Sequence, residues 1–284
     1  MDPFTTSTPP DLTITPRDLR LDRNASSARW WHGGDPVATA YFNALSASFP
    51  QGETFFIDAV RRYRDRTDGK LQQQIDAFIQ QEAAHTREHV AFNRLIKAAG
   101  YDTSAMDAET RRRLDVARSR HPVVQLAITV ALEHFTAIMA HCLLTEEKPL
   151  PGAPTEVLRL WQWHAIEEVE HKAVAHDTFL AVTREVSALR RWALRCHVML
   201  LISLQFWYSN FQRMADFFRQ DGINTPRTWW RVFKYLWLQP GMMRKIFRPY
   251  LSFFRPGFHP WDHNDRPLIQ KFEQRLRLAD SAVK

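Results

Sequence analysis

Apolar residues along the chain recur at steps of three and four, the spacing of helices with one buried face. The longest such pattern predicts a helix over 70–99, with Leu71, Ile75, Phe78, Ile79, Phe92 and Ile96 on the stripe and Gly100 as its stop. The middle turns of that stripe carry Glu82, His85 and His89. A solvated polar face would not share a stripe with Phe78 and Ile96. Further helices are predicted over 37–48, 53–66, 107–120, 123–144, 155–182, 190–214, 225–238, 242–254 and 267–279, with breaks at Asp68-Gly69 and 149–154. An all-α fold follows, and the scarcity of Gly, 9 in 284 residues, argues against a hairpin-rich β fold.

The ionisable residues inside these apolar stripes have an order. They run Glu53, Glu82-x-x-His85, Glu133, Glu168-x-x-His171. Residues i and i+3 lie on one side of a helix, so each Glu-x-x-His can grip one ion. Glu133 ends the run Ala-Ile-Thr-Val-Ala-Leu-Glu, where an unpartnered carboxylate would cost several kcal/mol to bury. Single Glu residues from two helices and Glu-x-x-His from two others are the ligands of a dinuclear centre in a four-helix bundle. The expected cofactor is therefore two iron ions, with Mn/Fe or Mn as alternatives. Carboxylate with imidazole suits these metals, and no thiolate is available for a structural zinc site.

Other residues share the stripes. In His164-x-x-x-Glu168-x-x-His171 all three face one side, so His164 is either a further ligand or a donor that orients a carboxylate. Glu167 competes with Glu168, being four residues before His171. The i,i+3 pair matches the other half of the set and favours Glu168, leaving Glu167 to hydrogen-bond a ligating histidine. His89 is expected in a similar supporting place. His134, next to Glu133 but about a quarter-turn away, is either a supporting residue or an ordinary core histidine. Glu170, His141 and His176 are expected in structural or surface roles.

On Phe49-Pro-x-Gly-Glu53, Gln81-Glu82-x-x-His85-x-x-x-His89, Ala131-Leu-Glu-His-Phe-Thr-Ala137 and Trp163-His164-x-x-Glu167-Glu168-x-Glu170-His171-Lys172, the sequence resembles the family of predicted metal-dependent hydrolases in the ferritin-like superfamily. The resemblance covers about 30–179 and implies a ferritin-like four-helix bundle with additional C-terminal helices. The ligand pattern is also similar to that of the ferritin-like diiron N-oxygenases, in which a third histidine precedes the last Glu-x-x-His as His164 does. That likeness implies oxygen chemistry.

Three segments are expected: a mobile arm over 1–29, the metal-binding bundle over 30–183, and aromatic, basic helices over 184–284 packed on it. The charge divides unevenly. Residues 184–260 hold 13 Lys and Arg against three acids, a net of +10 in a chain of +7, which leaves the rest at −3. A nucleic-acid-binding face over the whole protein is not expected. The tail suits peripheral contact with an anionic membrane through 190–258, or helices laid over the bundle with their cations in water. The 190–214 helix is too interrupted for a convincing span. Two cysteines, Cys142 and Cys196, form no framework, and with no secretory apolar run in 1–28 a reducing cytoplasmic setting is expected.

The leading expectation is a non-haem diiron (or Mn/Fe) oxidase or oxygenase acting on a partly apolar small molecule, with Phe56, Phe78 and Phe135 as candidate walls. No G-x-G-x-x-G is present, so electrons would come from a separate redox partner. The first alternative is a metal-dependent hydrolase using a bridging hydroxide at the same residues, since no G-x-S-x-G or H-E-x-x-H occurs. The second is a non-enzymatic, membrane-associated metal-binding protein.

Overall fold

The computed structural model describes residues 7–22, 28–67 and 69–282. Among them all regular structure is helical. The helices are α1 (Pro36–Ser46), α2 (Phe49–Arg61), α3 (Gly69–Ala98), α4 (Ser104–Arg118), α5 (Pro122–Thr145), α6 (Thr155–His171), α7 (Val174–Val182), α8 (Ala188–Gln220), α9 (Pro226–Phe233), α10 (Met242–Ser252) and α11 (Arg266–Ala282). Local chemistry sets several starts. Asp35 accepts from the Val37 and Ala38 amides with Pro36 in the first turn of α1, and Thr225 caps α9 ahead of Pro226.

The four helices that carry the Glu and Glu-x-x-His residues pack in a ring: α2 on α3, α3 on α6, α6 on α5 and α5 on α2. Phe55, Phe78, Leu126 and Ile166 on these helices are all fully or almost fully buried. α1 and α8 close one side, α10 lies on α5 and α11 on α6. One continuous core runs from Ile14 to Ile269, so the C-terminal helices share their interior with the ring. The loop after Trp31 meets the α5–α6 loop so closely that a Cβ on Gly152 would stand 2.6 Å from Gly33 Cα.

Two expectations change here. The helix predicted over 155–182 breaks at Lys172 and Ala173. No Gly or Pro signals the break; Lys172 turns its ammonium to the His263 carbonyl and Asp265, both in the segment before α11. The described part of the segment expected as a mobile arm over 1–29 touches the helices at several points. Ile14 and Leu21 are buried, Lys70 donates to the Pro9 and Pro10 carbonyls, and the Leu21 amide donates to Glu88. Its low apolar content hid this, because the segment docks mainly through hydrogen bonds to buried carboxylates. Residues 1–6 and 23–27 of that expectation lie outside the described residues.

α5 is long and apolar enough to cross a membrane, but 78% of its most apolar window is buried within the molecule, as in a core helix. No other described helix meets that test.

Asp221, at the end of α8, accepts from Arg29 Nε (2.6 Å), Trp30 Nε1 (3.0 Å) and Tyr101 OH (2.8 Å). Asp221→Ala leaves three donors without their acceptor and is expected to cost roughly 1–3 kcal/mol, measured by denaturant unfolding.

Candidate metal centre

α2, α3, α5 and α6 turn Glu53, Glu82, His85, Glu133, Glu168 and His171 into one buried cluster. His171 Nε2 stands 3.2 Å from Glu82, 3.3 Å from Glu133 and 3.5 Å from Glu168. His85 Nδ1 lies 3.7 Å from Glu82 and 3.6 Å from Glu168. Glu82, Glu133, Glu168 and His171 form one group of potential ligand atoms within 4.8 Å of one another. Glu53, Glu82 and His85 form a second, and His85, His164 and Glu168 a third. A fourth joins Glu53, His89 and His164, so Glu53, Glu82, His85, His164 and Glu168 each belong to two groups.

Hydrogen bonds fix which atoms face inward. His171 Nδ1 donates to Gln81 Oε1 at 2.9 Å, which leaves Nε2 toward the carboxylates. His85 Nε2 contacts Glu167 Oε2 at 3.1 Å, leaving Nδ1 inward. Thr86 donates to Glu53 Oε2 at 3.0 Å. The other Glu53 oxygen, both oxygens of Glu82 and Glu133, Glu168 Oε2, His85 Nδ1 and His171 Nε2 are buried with no hydrogen-bond partner. Native interiors rarely leave polar atoms so. Eight such atoms converging on one space fit a set of cation ligands: hard carboxylates supply the negative charge and imidazoles the neutral donors.

His164 has a chain of its own. Ser46 donates to Asn93 Oδ1, so its oxygen accepts from His89 Nδ1 at 2.8 Å. His89 Nε2 then accepts from His164 Nδ1 at 2.7 Å, and the lone pair of His164 Nε2 faces Glu168 Oε1 at 2.9 Å. Two acceptors at that separation need a cation or proton between them. Burial keeps His164 below the usual imidazole range and His89 well below it, in keeping with neutral rings.

The carboxylates behave as a crowded anionic set. Burial pushes Glu53 well above its usual value, with the Glu82 charge adding to the effect. Glu133 is pushed up to about 8 by burial, against the pull of His171. Burial opposes charge on Glu82 as well, yet the neighbouring His171 and His85 imidazoles hold it below the usual range. Burial also opposes charge on His85, but Glu167 and Glu82 carry it to about 10. These opposed shifts mark a cluster short of positive charge.

Some support comes from outside the ring. The Arg17 amide donates to Glu167 Oε1 at 2.9 Å, and its guanidinium grips both oxygens of Glu170. Glu170 in turn accepts from Gln81 Nε2 at 3.0 Å. Arg17 therefore steadies both inward-facing histidines, through Glu167–His85 and through Glu170–Gln81–His171. Sequence patterning gave no sign of Arg17 or of Ser46, because neither lies on a predicted stripe. Gln81 was visible only as a motif residue, and Glu170 was expected in a structural or surface role.

Other expected residues lie elsewhere. His134 packs between Phe253 and Phe258 with its Nε2 toward the Pro249 carbonyl. Its quarter-turn offset from Glu133 carries it away from the cluster. Of the expected walls, Phe78 contacts His171 at 4.8 Å, while Phe135 stacks on Phe206 instead. The small cleft that reaches Glu168 and His164 is lined by Phe42, Phe49, Met139, Leu143, Trp161 and Met242. A separate group, His176, Asp177 and His259, reads as a tether. His259 Nδ1 accepts from the Trp261 amide, so Nε2 carries the proton it donates to Asp177 at 2.8 Å.

The sequence pattern of the family described as predicted metal-dependent hydrolase matches residues 15–264. The chain belongs to this family. No curated protein and no solved structure matches it. The matched span of the metal-dependent hydrolase family begins two residues before Arg17, so it takes in the strap over Glu167 and Glu170 as well as the ring.

Two outcomes are expected. Glu133 and His85 must shed protons to take up cations, so affinity for Fe(II) or Mn(II) should rise between pH 6 and 8, about tenfold per unit for each proton released. A pH-independent titration would contradict that. Arg17→Ala should lower metal affinity by roughly 10–100-fold, read by competition with a chelating dye, while the helical signal is kept.

Proposed function

We propose that the protein is a ferritin-like dinuclear metal enzyme that hydrolyses a small molecule with an apolar part. Glu53, Glu82, His85, Glu133, His164, Glu168 and His171 would hold two ions, iron or manganese. The single observation that carries this is the set of eight partnerless buried ligand atoms, drawn from four helices of a closed ring. Residues 30–183 would form the metal-binding unit and 184–284 its cover.

Bound in this set, two divalent ions supply a Lewis acid and lower the pKa of water toward neutrality. The chain's own residues do the rest. Glu167 and Gln81 fix the two inward nitrogens, so the ligands need little reorganisation. The Ser46–His89–His164 chain offers a path for a proton away from Glu168. Phe42, Phe49 and Trp161 line the approach and exclude bulk water, which strengthens each charge interaction inside.

The sequence led first to oxygen chemistry. Family membership supports hydrolysis instead, and the oxygenase reading draws no support from it. The donor set alone suits either chemistry.

The purified chain should carry close to two transition-metal ions, and Glu133→Ala should lose metal and activity together. Activity on activated esters with apolar acyl groups should persist anaerobically without reductant and disappear on chelation. Turnover that consumes dioxygen or a reductant would transfer the protein to the oxygenases. Wild-type metal content in Glu133→Ala would remove that residue from the ligand set.

A further inference from the structure

α9, α10 and the π turn between them (Lys234–Leu238) each have two different faces. The inner faces are committed to the core: Trp229 packs edge-on against Phe211 and Phe218, and Val232, Leu236, Met242 and Ile246 are buried. The outer faces carry Trp230, Phe233, Trp237, Leu238, Phe247 and Leu251, each between 43% and 55% exposed. Eleven of the fifteen exposed large apolar side chains among the described residues fall within 189–251. Folding does not account for them, since truncating them would leave the core intact.

Charge on these faces has one sign. Residues 222–261 contain seven Lys and Arg and no acid. Three of the seven reach carboxylates on other elements: Arg231 pairs with Asp35, Lys245 with Glu146 and Arg255 with Asp262. Lys234 lies 5.6 Å over the Trp230 ring, and the Arg244 guanidinium donates to the Leu238 carbonyl. Arg248, one residue after Phe247, is exposed. Cations thus alternate with half-exposed rings and leucines along both helices.

We propose that the outer face of α9, the π turn and α10 docks on an anionic lipid bilayer. Rings and leucines at that face can enter the interface while Lys234, Arg244 and Arg248 meet headgroup phosphates. An RNA partner would use the cations and rings, but the exposed leucines Leu238 and Leu251 have no stacking role on bases. Met242, the first residue of α10, also lines the cleft that ends at Glu168 and His164. Docking therefore brings the bilayer beside that cleft. The docking surface stands whether or not the metal centre is hydrolytic.

The test is co-sedimentation of the full, metal-loaded chain with phosphatidylcholine vesicles that contain or lack phosphatidylglycerol. Binding to the anionic vesicles at low salt, weakened by salt and by omission of phosphatidylglycerol, is expected. Lys234→Glu with Arg248→Glu should weaken it by at least about tenfold, from roughly fivefold per basic residue lost. Trp237→Ala with Phe247→Ala should weaken it by about tenfold as well. Arg111→Glu, on α4, should bind as wild type, and all variants should keep wild-type helicity and metal content. Absence of binding to anionic vesicles, or wild-type binding by both double variants, would overturn the proposal. So would equally tight binding to single-stranded RNA, or self-association that these same variants abolish.

Discussion

Burying like charges together is the constraint on which this structure depends. Glu53, Glu82, Glu133 and Glu168 share one interior with Glu167 and Glu170, all 2% exposed or less. Six carboxylates at that depth repel one another and forgo hydration, a cost of several kcal/mol for each ion left uncompensated. The chain answers in two layers. Outside, Arg17 and Gln81 neutralise or satisfy Glu167 and Glu170. Inside, the remaining four meet the Thr86 hydroxyl, two imidazoles and the His164 chain, which leaves negative charge for cations to balance. The ring of helices supplies rigidity, since ligands placed on packed helices hold their spacing whether or not a cation is present.

The inner layer was legible in the sequence because helical geometry turns spacing into direction. Glu82 with His85, and Glu168 with His171, share a side at i,i+3, and Glu133 stands out as a carboxylate in an apolar run. The preference for Glu168 over Glu167 followed from the same geometry; in the structure Glu168 faces His171 and His164, and Glu167 faces His85 Nε2 and Arg17. What stayed hidden depends on contacts between distant segments. Arg17 sits in a polar stretch with no periodicity, and its place is set by residues 150 positions away. The break after His171 is imposed by a buried Lys172 that reaches Asp265. His134 shows the limit of proximity in sequence: adjacent to Glu133, it belongs to a different interface altogether.

The aromatic residues of the C-terminal helices divide by face in a way composition could not reveal. Trp229 and Trp230 are neighbours in sequence, yet one is packed on Phe218 and the other is stacked on Phe233 at the surface. An excess of Trp and Phe in 184–260 is therefore two populations, one closing the core over the ring and one left outside it.

The strap formed by residues 7–22 also bears on how the molecule comes together. Arg17 is made 150 residues before Glu167, which with Glu170 lies on α6, the last helix of the ring to emerge. The opening segment must wait, without its acceptors, while some 150 further residues are added. Only then can it close over the outer carboxylates and hold the two histidines in register. An alteration at Arg17 would thus be felt not at the surface where it is made, but in the completion of the innermost part of the protein.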